Sequence, residues 1–307
     1  MTRQSGSAIS SAKRLAFVIA LLTVLTGPAD SKAQDQKPAK PSTGKQIAIT
    51  FDELPAALSF GEVDANAITY MILEALRKHE ITATGFVVGL NIDGQYDLLG
   101  DWLNEGHGLG TMTYSNQDIE GLSTDQFMQE IQSGQREIEE MLVGFGQKAR
   151  YFRYPFLHYG TDPKTKTKIR DYLAGVGNVV AHASVVPDDF TYDLAMQKFG
   201  KVPDSAQYER LLNEYVNHVI DQIERSEDLA EQLVGRPVKQ ILRLRANRLN
   251  ATYLDDMLTA LEDEGYSFVT LGSALRDPVY AKQESYFGSR GVGYLDMLYV
   301  SKKKAGK

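Results

Sequence analysis

The sequence predicts an α/β fold in which parallel β-strands alternate with α-helices. Two observations favour this class: short β-rich runs alternate with longer segments of helical periodicity, and the first run, residues 46–51 (QIAITF), leads directly into acidic residues. This pattern is typical of a buried parallel strand that carries polar side chains at its carboxyl end. The repeated order of strand and helix implies a parallel sheet with right-handed crossovers.

Short apolar and β-branched runs give the predicted strands. After residues 46–51, residues 84–88 (TGFVV) predict the second strand. Later runs predict further strands at residues 151–156, 179–186, 240–244 and 266–271.

Helices are predicted where apolar residues recur three and four positions apart. This pattern gives helices at residues 68–76, 96–104, 127–142 and 253–263. A long helical excursion at residues 190–235 carries an apolar stripe between positions 208 and 223. Stripes at this spacing are usually core, so we expect the excursion to pack on the sheet.

The N-terminus has the three-part pattern of a secretory signal peptide. Arg3, Lys13 and Arg14 precede an apolar run at residues 15–25. The run is followed by Ser31-Lys32-Ala33, which places small residues at the two positions that a signal peptidase recognises. The apolar run is shorter than the roughly 20 residues that span a bilayer, which disfavours the alternative of a retained membrane anchor. We therefore expect residues 1–33 to be removed after Ala33. The mature protein is then periplasmic or extracellular and free of the membrane.

The rest of the chain predicts one folded domain. Residues 34–44 are rich in Gln, Lys, Pro, Ser and Gly and predict a flexible leader. Residues 45–300, about 260 in round numbers, suffice for one large core. Residues 301–307 predict a basic, frayed tail. The chain contains no cysteine, so no disulfide supports the fold.

The charge of the chain argues against one class of partner. The formal net charge is −7 and includes the basic leader, so the folded part is more acidic than the total. Nucleic-acid binding calls for a basic face, and we therefore expect no nucleic-acid partner. A neutral glycan is compatible with this charge.

Five segments fall in an order that carries a resemblance to a known family. They are residues 50–53 (TFDE), 106–116 (GHGLGTMTYSN), 153–156 (RYPF), 184–190 (SVVPDDF) and 241–247 (ILRLRAN). This order resembles the polysaccharide deacetylases, the NodB-homology group of carbohydrate esterase family 4. The resemblance implies that residues 45–300 form a single distorted (β/α) barrel. It also implies an N-acetylated glycan or cell-wall polysaccharide as partner and a divalent metal such as zinc in active members.

The resemblance assigns family roles to five positions, several of which are substituted. Asp52 stands at the position of the catalytic base, and Glu53 stands at the position of a metal-binding carboxylate. Met112 and Asn116 replace the two metal-binding histidines, and Arg245 replaces the histidine that acts as general acid. A thioether and a neutral amide are poor ligands for zinc, and a guanidinium does not shuttle protons at physiological pH. We therefore predict no metal cofactor.

The resemblance also outlines a substrate-binding cleft. We expect the cleft to include Glu53, Tyr114, Arg153, Tyr154, Pro155, Phe156, His158, Asp188, Asp189 and Asn247. Val186 replaces the carboxylate that orients the family's acid histidine. Buried carboxylates without a metal need a cation or a proton. We therefore expect Asp52, Glu53 and Asp189 to form ion pairs with Arg153 and Arg245.

Two functions remain open at this point. The first is an exported glycan-binding or regulatory pseudoenzyme. The second is an active N-deacetylase, or a related hydrolase of non-peptide C–N bonds, with Asp52 as base and an atypical or relocated metal site. His107, His158 and His182 are the candidate replacement ligands, although each also fits a structural histidine in a core or loop. The sequence points to no particular protein partner.

Overall fold

Seven parallel strands form one sheet in the computed structural model, which describes residues 44–57, 64–199 and 205–306. They are β1 (Gln46–Leu54), β2 (Thr84–Val87), β3 (Gly108–Thr111), β4 (Tyr151–Phe152), β5 (Val179–Val180), β6 (Gln240–Arg245) and β7 (Ser267–Phe268). The predicted signal peptide and residues 34–43 of the predicted leader lie outside the described residues.

The sheet curls until its two ends meet. The strand order is β5-β4-β3-β2-β1-β6, with β7 paired to β1. Beyond β5, Val185 forms a parallel bridge with Leu242 of β6, and Arg243 donates its backbone N–H to the Val185 carbonyl at 3.0 Å. This contact joins the outermost strands, and the predicted distorted (β/α) barrel is confirmed.

Helices connect and cover the strands. They are α1 (Ala65–Lys78), α2 (Tyr96–Asn104), α3 (Thr124–Val143), α4 (Pro163–Gly175), α5 (Asp189–Gln197), α6 (Ser205–Val234), α7 (Arg248–Asp263), α8 (Leu271–Leu275) and α9 (Tyr294–Ala305). Helix α3 begins with a capping box between Ser123 and Gln126, which satisfies orphan backbone N–H groups. None of the helices in the described ranges combines the length and apolarity that membrane crossing requires.

The long helical excursion packs as its apolar stripe predicts. Helix α6 buries Leu211, Tyr215, Val219 and Ile223, which join the core formed with β1, α1 and α7. These residues recur at helical spacing, so one face of α6 is apolar and the other is polar. The prediction that this stripe is core is confirmed.

Three predicted strands are shorter in the structure, and the predicted tail is helical. Only Tyr151–Phe152 of residues 151–156 forms a strand, because proline at 155 cannot donate to a ladder and Phe156 adopts a φ of 55°. Residues 179–186 and 266–271 likewise keep two strand residues each, in β5 and β7. The predicted basic tail from residue 301 is helical up to residue 305. Helix α9 continues to Ala305, and Ser301 donates to the Met297 carbonyl at 2.7 Å.

A glycine sets the distance between α3 and the segment that follows β3. A Cβ at Gly134 would lie 2.8 Å from the carbonyl carbon of Thr113 and 2.9 Å from the Tyr114 nitrogen. Only glycine therefore permits this approach of the two backbones. Tyr114 donates its backbone N–H to the Glu130 carbonyl in α3 at 3.0 Å, which fixes the segment that carries residues 112–116.

Candidate functional site

Strands β1 and β6 place four polar side chains on one face of the sheet. Their parallel register pairs Thr50 with Arg243 and Asp52 with Arg245. Successive side chains of a strand point to opposite faces, so residues two apart share a face. These four residues lie in the carboxyl-terminal halves of the two strands, where a parallel α/β fold carries its site.

Asp52 is fully buried between two guanidinium groups. Arg153 donates from Nη1 to Oδ1 at 2.9 Å, and Arg243 donates from Nε to Oδ2 at 2.7 Å. Burial by itself raises the pKa of the Asp52 carboxyl, but the charges and hydrogen bonds of Arg153 and Arg243 outweigh burial and lower it below its ordinary value. Asp52 is therefore a stable carboxylate.

Arg153 is held from several sides. Its Nη1 also donates to Thr50 Oγ1 at 2.8 Å, and its Nε donates to the Ala181 carbonyl at 3.1 Å. Thr50 in turn donates to the Leu242 carbonyl at 2.7 Å. The Arg153 guanidinium carbon lies 4.1 Å from the centroid of the Phe86 ring, within cation–π distance. Arg153 is thus a rigid bridge among strands β1, β2 and β4 and the segment after β5.

Arg245 joins two further carboxylates. It donates from Nε to Glu53 Oε1 at 3.2 Å and from Nη1 to Asp189 Oδ1 at 3.1 Å. Its guanidinium carbon lies 5.3 Å from the centroid of the Phe190 ring, and its side chain is 17% exposed. Burial raises the pKa of the Glu53 carboxyl, although the Arg245 charge opposes that rise. Arg245 therefore points into the site and not into solvent.

Asp189 is the second fully buried carboxylate and begins helix α5. It accepts the backbone N–H of Arg245 at 2.7 Å and the side-chain amide of Asn250 at 3.0 Å, and Arg243 Nη1 lies 3.7 Å away. Asn250 also donates to the Arg245 carbonyl at 2.8 Å and accepts the hydroxyl of Tyr215. Helices α5, α6 and α7 thus meet at one carboxylate.

These contacts form one charge-balanced ionic cluster of three cations and three carboxylates: Arg153, Arg243, Arg245, Asp52, Glu53 and Asp189. The expected pairing of Asp52 with Arg153, and of Glu53 and Asp189 with Arg245, is confirmed. Arg245 pairs with Glu53 and Asp189 and not with Asp52. The sequence interpretation missed Arg243, which contacts two of the carboxylates. The period of two along a strand could have found it, since Arg243 lies two residues before Arg245.

The positions that hold the metal in the resembling family do not fit a divalent cation here. Met112 is buried in an apolar cluster, and Asn116 has a φ of 56° with a buried Oδ1 that lacks a hydrogen-bond partner. The Glu53 carboxylate is engaged by Arg245. In the part of the chain that the structure describes, no group of three or more His, Asp or Glu residues is arranged to hold a metal ion. A thioether, an amide and a guanidinium-bound carboxylate form a poor donor set for zinc.

The three candidate replacement histidines each have other partners. The His107 ring lies against Trp102 at an interplanar angle of 55°, with ring centroids 4.8 Å apart, and accepts the Ala83 N–H at 3.4 Å. His158 Nδ1 lies 2.8 Å from Asp118 Oδ1, and the His182 ring lies 3.8 Å from the Tyr294 ring. None of the three forms a hydrogen bond or an ion pair with Glu53. The structure therefore gives no support to a relocated histidine ligand among them.

In the segment after β4, one aromatic side chain is exposed to solvent and another is buried beside a cavity. Pro155 is buried and begins a short 3₁₀ turn, Pro155–Leu157, in which Phe156 is 45% exposed. Tyr154 is buried and lines a cavity to which no residue of the ionic cluster contributes. The structure thus leaves Phe156 open to solvent beyond the end of β4, and it separates the Tyr154 side chain from the cluster.

Other predicted cleft residues act as helix caps or loop residues. Asp188 is exposed and caps α5 by accepting the Thr191 N–H at 3.4 Å, whereas buried Asn247 caps α7 by accepting the Asn250 N–H at 2.9 Å. Tyr114 is half-buried in the segment after β3. Val186 is half-buried beside an apolar cluster. Asn247 contributes to the site through Asn250, which bonds both Asp189 and Arg245.

Fold and site together define a parallel α/β barrel with an acidic residue pair at the end of its first strand. A family model described as polysaccharide deacetylase matches residues 39–172. The peptidoglycan-N-acetylmuramic acid deacetylase PdaA of Bacillus subtilis is 28% identical over 242 residues, which are 75% of this chain and 79% of that protein. The family match, which covers less than half of this chain, and the similarity to PdaA together support a polysaccharide deacetylase domain of carbohydrate esterase family 4.

Other relatives match over shorter regions. The peptidoglycan-N-acetylglucosamine deacetylase of Bacillus cereus is 30% identical over 116 residues, which are 38% of each chain. The corresponding protein PgdA of Listeria monocytogenes is 28% identical over 99 residues, 32% of this chain and 19% of that protein. The match therefore spans well under half the length of these two curated relatives.

Solved structures agree with the fold. A pseudoenzyme of carbohydrate esterase family 4 from Bacillus anthracis has a TM-score of 0.52 at 16% identity, covering 76% of this chain and 66% of that chain. The peptidoglycan deacetylase PdaC of Bacillus subtilis has a TM-score of 0.50 at 18% identity, covering 85% and 95%. At these identities the likeness shows the shared barrel alone.

Proposed function

We propose that this protein is an exported member of the polysaccharide deacetylase family that binds an N-acetylated cell-wall glycan and has lost metal-dependent deacetylation. The observation that carries the proposal is the position of Arg245, whose guanidinium is bound by both Glu53 and Asp189. A fixed cation at this place neutralises the carboxylates that a metal would otherwise neutralise. It supplies their counter-charge without supplying open coordination positions.

The ligand set supports the loss of metal binding. Deacetylation by this family's chemistry needs a cation that polarises the acetyl carbonyl and activates water. Met112 and Asn116 offer a thioether and an amide in place of imidazoles. A metal would also have to displace Arg245 from Glu53, because two cations side by side repel each other.

The proton-transfer groups support the same conclusion. The leaving amine needs a general acid, and a guanidinium remains protonated throughout the physiological range. A general base must be free to accept a proton, whereas Asp52 is held by Arg153 and Arg243. The residues at both catalytic positions are therefore built for pairing rather than for proton transfer.

Exposed aromatic rings support glycan binding. Phe156 is 45% exposed and Phe190 is 38% exposed. Both belong to segments that follow the carboxyl ends of strands, Phe156 after β4 and Phe190 after β5. Aromatic faces suit the apolar faces of sugar rings. Relatives named for deacetylation of N-acetylglucosamine and N-acetylmuramic acid in peptidoglycan make these glycans the first candidates.

An active deacetylase with an atypical metal site is the second candidate. It is favoured by Asp52, which keeps the family's base position as a buried carboxylate, and by relatives that are named as deacetylases. Metal content and acetate release separate the two candidates.

The test combines three measurements on protein purified without added metal. These are divalent metal content, acetate release from N-acetylated chitooligosaccharides and peptidoglycan, and binding of the same glycans. We expect no stoichiometric metal, no acetate release, and binding that the Phe156→Ala and Phe190→Ala variants weaken. Tyr96→Ala is the matched control, since Tyr96 is 50% exposed on α2. Stoichiometric zinc with acetate release would establish the second candidate instead.

Export is tested separately. The signal-peptide pattern of residues 1–33 leads us to propose a periplasmic or extracellular protein. N-terminal sequencing of the protein recovered from the periplasm or the medium should begin at Gln34. Recovery of the uncleaved chain in the membrane fraction would favour a retained anchor.

A further inference from the structure

The cavity that Tyr154 lines lies apart from the ionic cluster. It has a volume of about 340 Å³ and is bounded by α4, the segment after β5, residues 280–287 and the start of α9. This volume is in the range of small-molecule sites. None of the six residues of the ionic cluster lines the cavity. A ligand in this cavity would therefore contact side chains other than those of the ionic cluster.

Nearly parallel rings form one wall of the cavity. The His182 ring lies 5.7 Å from the Tyr159 ring at 16°, 3.8 Å from the Tyr294 ring at 23°, and 6.4 Å from the Tyr280 ring at 10°. Burial, together with the charges of Arg153 and Lys166, lowers the pKa of His182 to about 3, so the imidazole is neutral. A planar ring is the shape that extends such a stack.

One hydroxyl of the cavity has no hydrogen-bond partner among the described residues. Tyr154 lines the cavity and is 2% exposed, and its hydroxyl forms no hydrogen bond with any described residue. By contrast, the Tyr280 hydroxyl donates to the Lys239 carbonyl at 2.8 Å, and the Tyr294 hydroxyl donates to the Lys282 carbonyl. Of these three hydroxyls, the Tyr154 hydroxyl is therefore the one that remains able to donate to or accept from a ligand of the cavity.

The cavity also carries an excess of positive charge. Lys166, Arg170 and Lys282 line it against the single carboxylate of Glu284. Lys166 pairs with Glu284, and exposed Arg170 pairs with its exposed neighbour Asp171 at 3.0 Å. Lys282 is exposed and forms no ion pair with a residue that the structure describes. These cations favour an anion at the mouth of the cavity.

We propose that this cavity binds a small planar aromatic acid. The ring of the ligand stacks with the parallel rings, and its carboxylate lies at the mouth beside Arg170 and Lys282. A polar substituent at the opposite end of the ring forms a hydrogen bond with the Tyr154 hydroxyl. 4-Hydroxybenzoate combines these three features in one molecule and is the probe for the test.

Isothermal titration calorimetry of the full chain with three probes tests each feature. Benzoate lacks the polar substituent, and 4-hydroxybenzamide lacks the charge. We expect 4-hydroxybenzoate to bind about threefold to tenfold more tightly than benzoate, as one net hydrogen bond provides. The amide should also bind more weakly than the acid.

Two tyrosine variants separate binding from stability. Tyr154→Phe removes a hydroxyl without a protein partner, so the variant should keep its melting temperature and lose the preference for 4-hydroxybenzoate over benzoate. Tyr280→Phe is the matched control, because its hydroxyl is bound to Lys239. Tyr280→Phe should lower the melting temperature and keep the preference for 4-hydroxybenzoate over benzoate.

Arg170→Gln, at an exposed position, tests the charge at the mouth of the cavity. It should weaken the binding of both acids by about twofold to fivefold and leave the binding of the amide unchanged.

Three results would overturn the proposal. They are no heat with any of the three probes, equal affinity for the acid and the amide, and an unchanged preference in Tyr154→Phe. Each outcome leaves the proposed glycan function untouched, since that function rests on the ionic cluster and on Phe156 and Phe190.

Discussion

Arg243 donates from Nε to Asp52 Oδ2 at 2.7 Å, and both side chains are almost wholly excluded from solvent. Burial by itself lowers the pKa of Arg243, but the charges of Asp52 and Asp189 outweigh burial and raise it above its ordinary value. The pair is therefore ionised throughout the physiological range. The residue at the family's base position is part of a permanent ion pair, and this relationship determines what the barrel can do.

Arg243→Met should destabilise the protein by about 3–5 kcal/mol at neutral pH, because it leaves buried Asp52 with one guanidinium instead of two. In the parent, the low pKa of Asp52 gives a stabilisation that is complete above its unfolded value and is lost as the pH falls through the folded pKa. In the variant the Asp52 pKa rises, so the penalty should shrink in acid as the carboxylate takes up a proton. Urea unfolding at neutral and acidic pH measures both effects.

Arg225→Met is the matched control for that experiment. Arg225 pairs with Asp296, but its side chain is exposed, so the expected loss is below about 1 kcal/mol and depends on salt. Equal losses of unfolding free energy in the two variants would show that the buried Arg243 pair stabilises the protein no more than an exposed pair does.

Arg245→Ala should also destabilise the protein at neutral pH, by about 3–5 kcal/mol, since Glu53 and Asp189 would lose a shared cation. Arg245→Lys should recover only part of this loss, because an ammonium cannot reach both carboxylates as the planar fork does. Thermal unfolding of the two variants gives the comparison. Arg248→Ala, three residues along on the exposed side of α7, is the control. An Arg245→Ala variant that melts like the parent would contradict the role of Arg245 in the cluster.

Glu53 and Asp52 should contribute to the pH dependence of stability in opposite directions, and Glu53→Gln tests the contribution of Glu53. Burial raises the Glu53 pKa above its ordinary value, so the folded state binds this proton more tightly than the unfolded state does. Its stabilising effect is therefore complete below the unfolded pKa and is lost as the pH rises through the folded pKa. Glu53→Gln should remove that gain on moderate acidification. Identical pH profiles for parent and variant would show that Glu53 titrates as an ordinary surface carboxylate.

The sequence predicted which chain segments form the site better than it predicted which side chains form ion pairs there. The acidic end of β1 and the polar end of β6 were visible because two of the five motifs, residues 50–53 and 241–247, contain them. Arg243 was missed since it lies within an apolar run that was interpreted only as a strand. Its role depends on the register between Thr50 of β1 and residue 243, and that register is a property of the folded sheet.

The aromatic cavity could not be predicted for a different reason. Tyr154 and Tyr159 belong to one segment, and Tyr280 and Tyr294 lie more than a hundred residues further along the chain. Aromatic residues at separate positions indicate a core in general, and only the packing of α9 against the segment after β5 makes their rings parallel. The early end of β4 was also hidden, because the positive φ of Phe156 is not visible in the sequence.

Restoration of the metal site gives the strictest test of the pseudoenzyme proposal. Met112→His with Asn116→His supplies two imidazoles, but Glu53 remains bound to Arg245, so the double variant should bind zinc weakly. Adding Arg245→His frees Glu53 and removes a competing cation. Zinc should then raise the melting temperature in proportion to its affinity for the folded state. Arg245→His alone is the control, since it frees Glu53 without completing a ligand set. Acetate release should require Arg245→His and improve further with Val186→Asp, which restores a carboxylate beside the new histidine.

If the double variant alone released acetate at the rate of the fourfold variant, then another residue would be the general acid and the family role assigned to position 245 would be wrong.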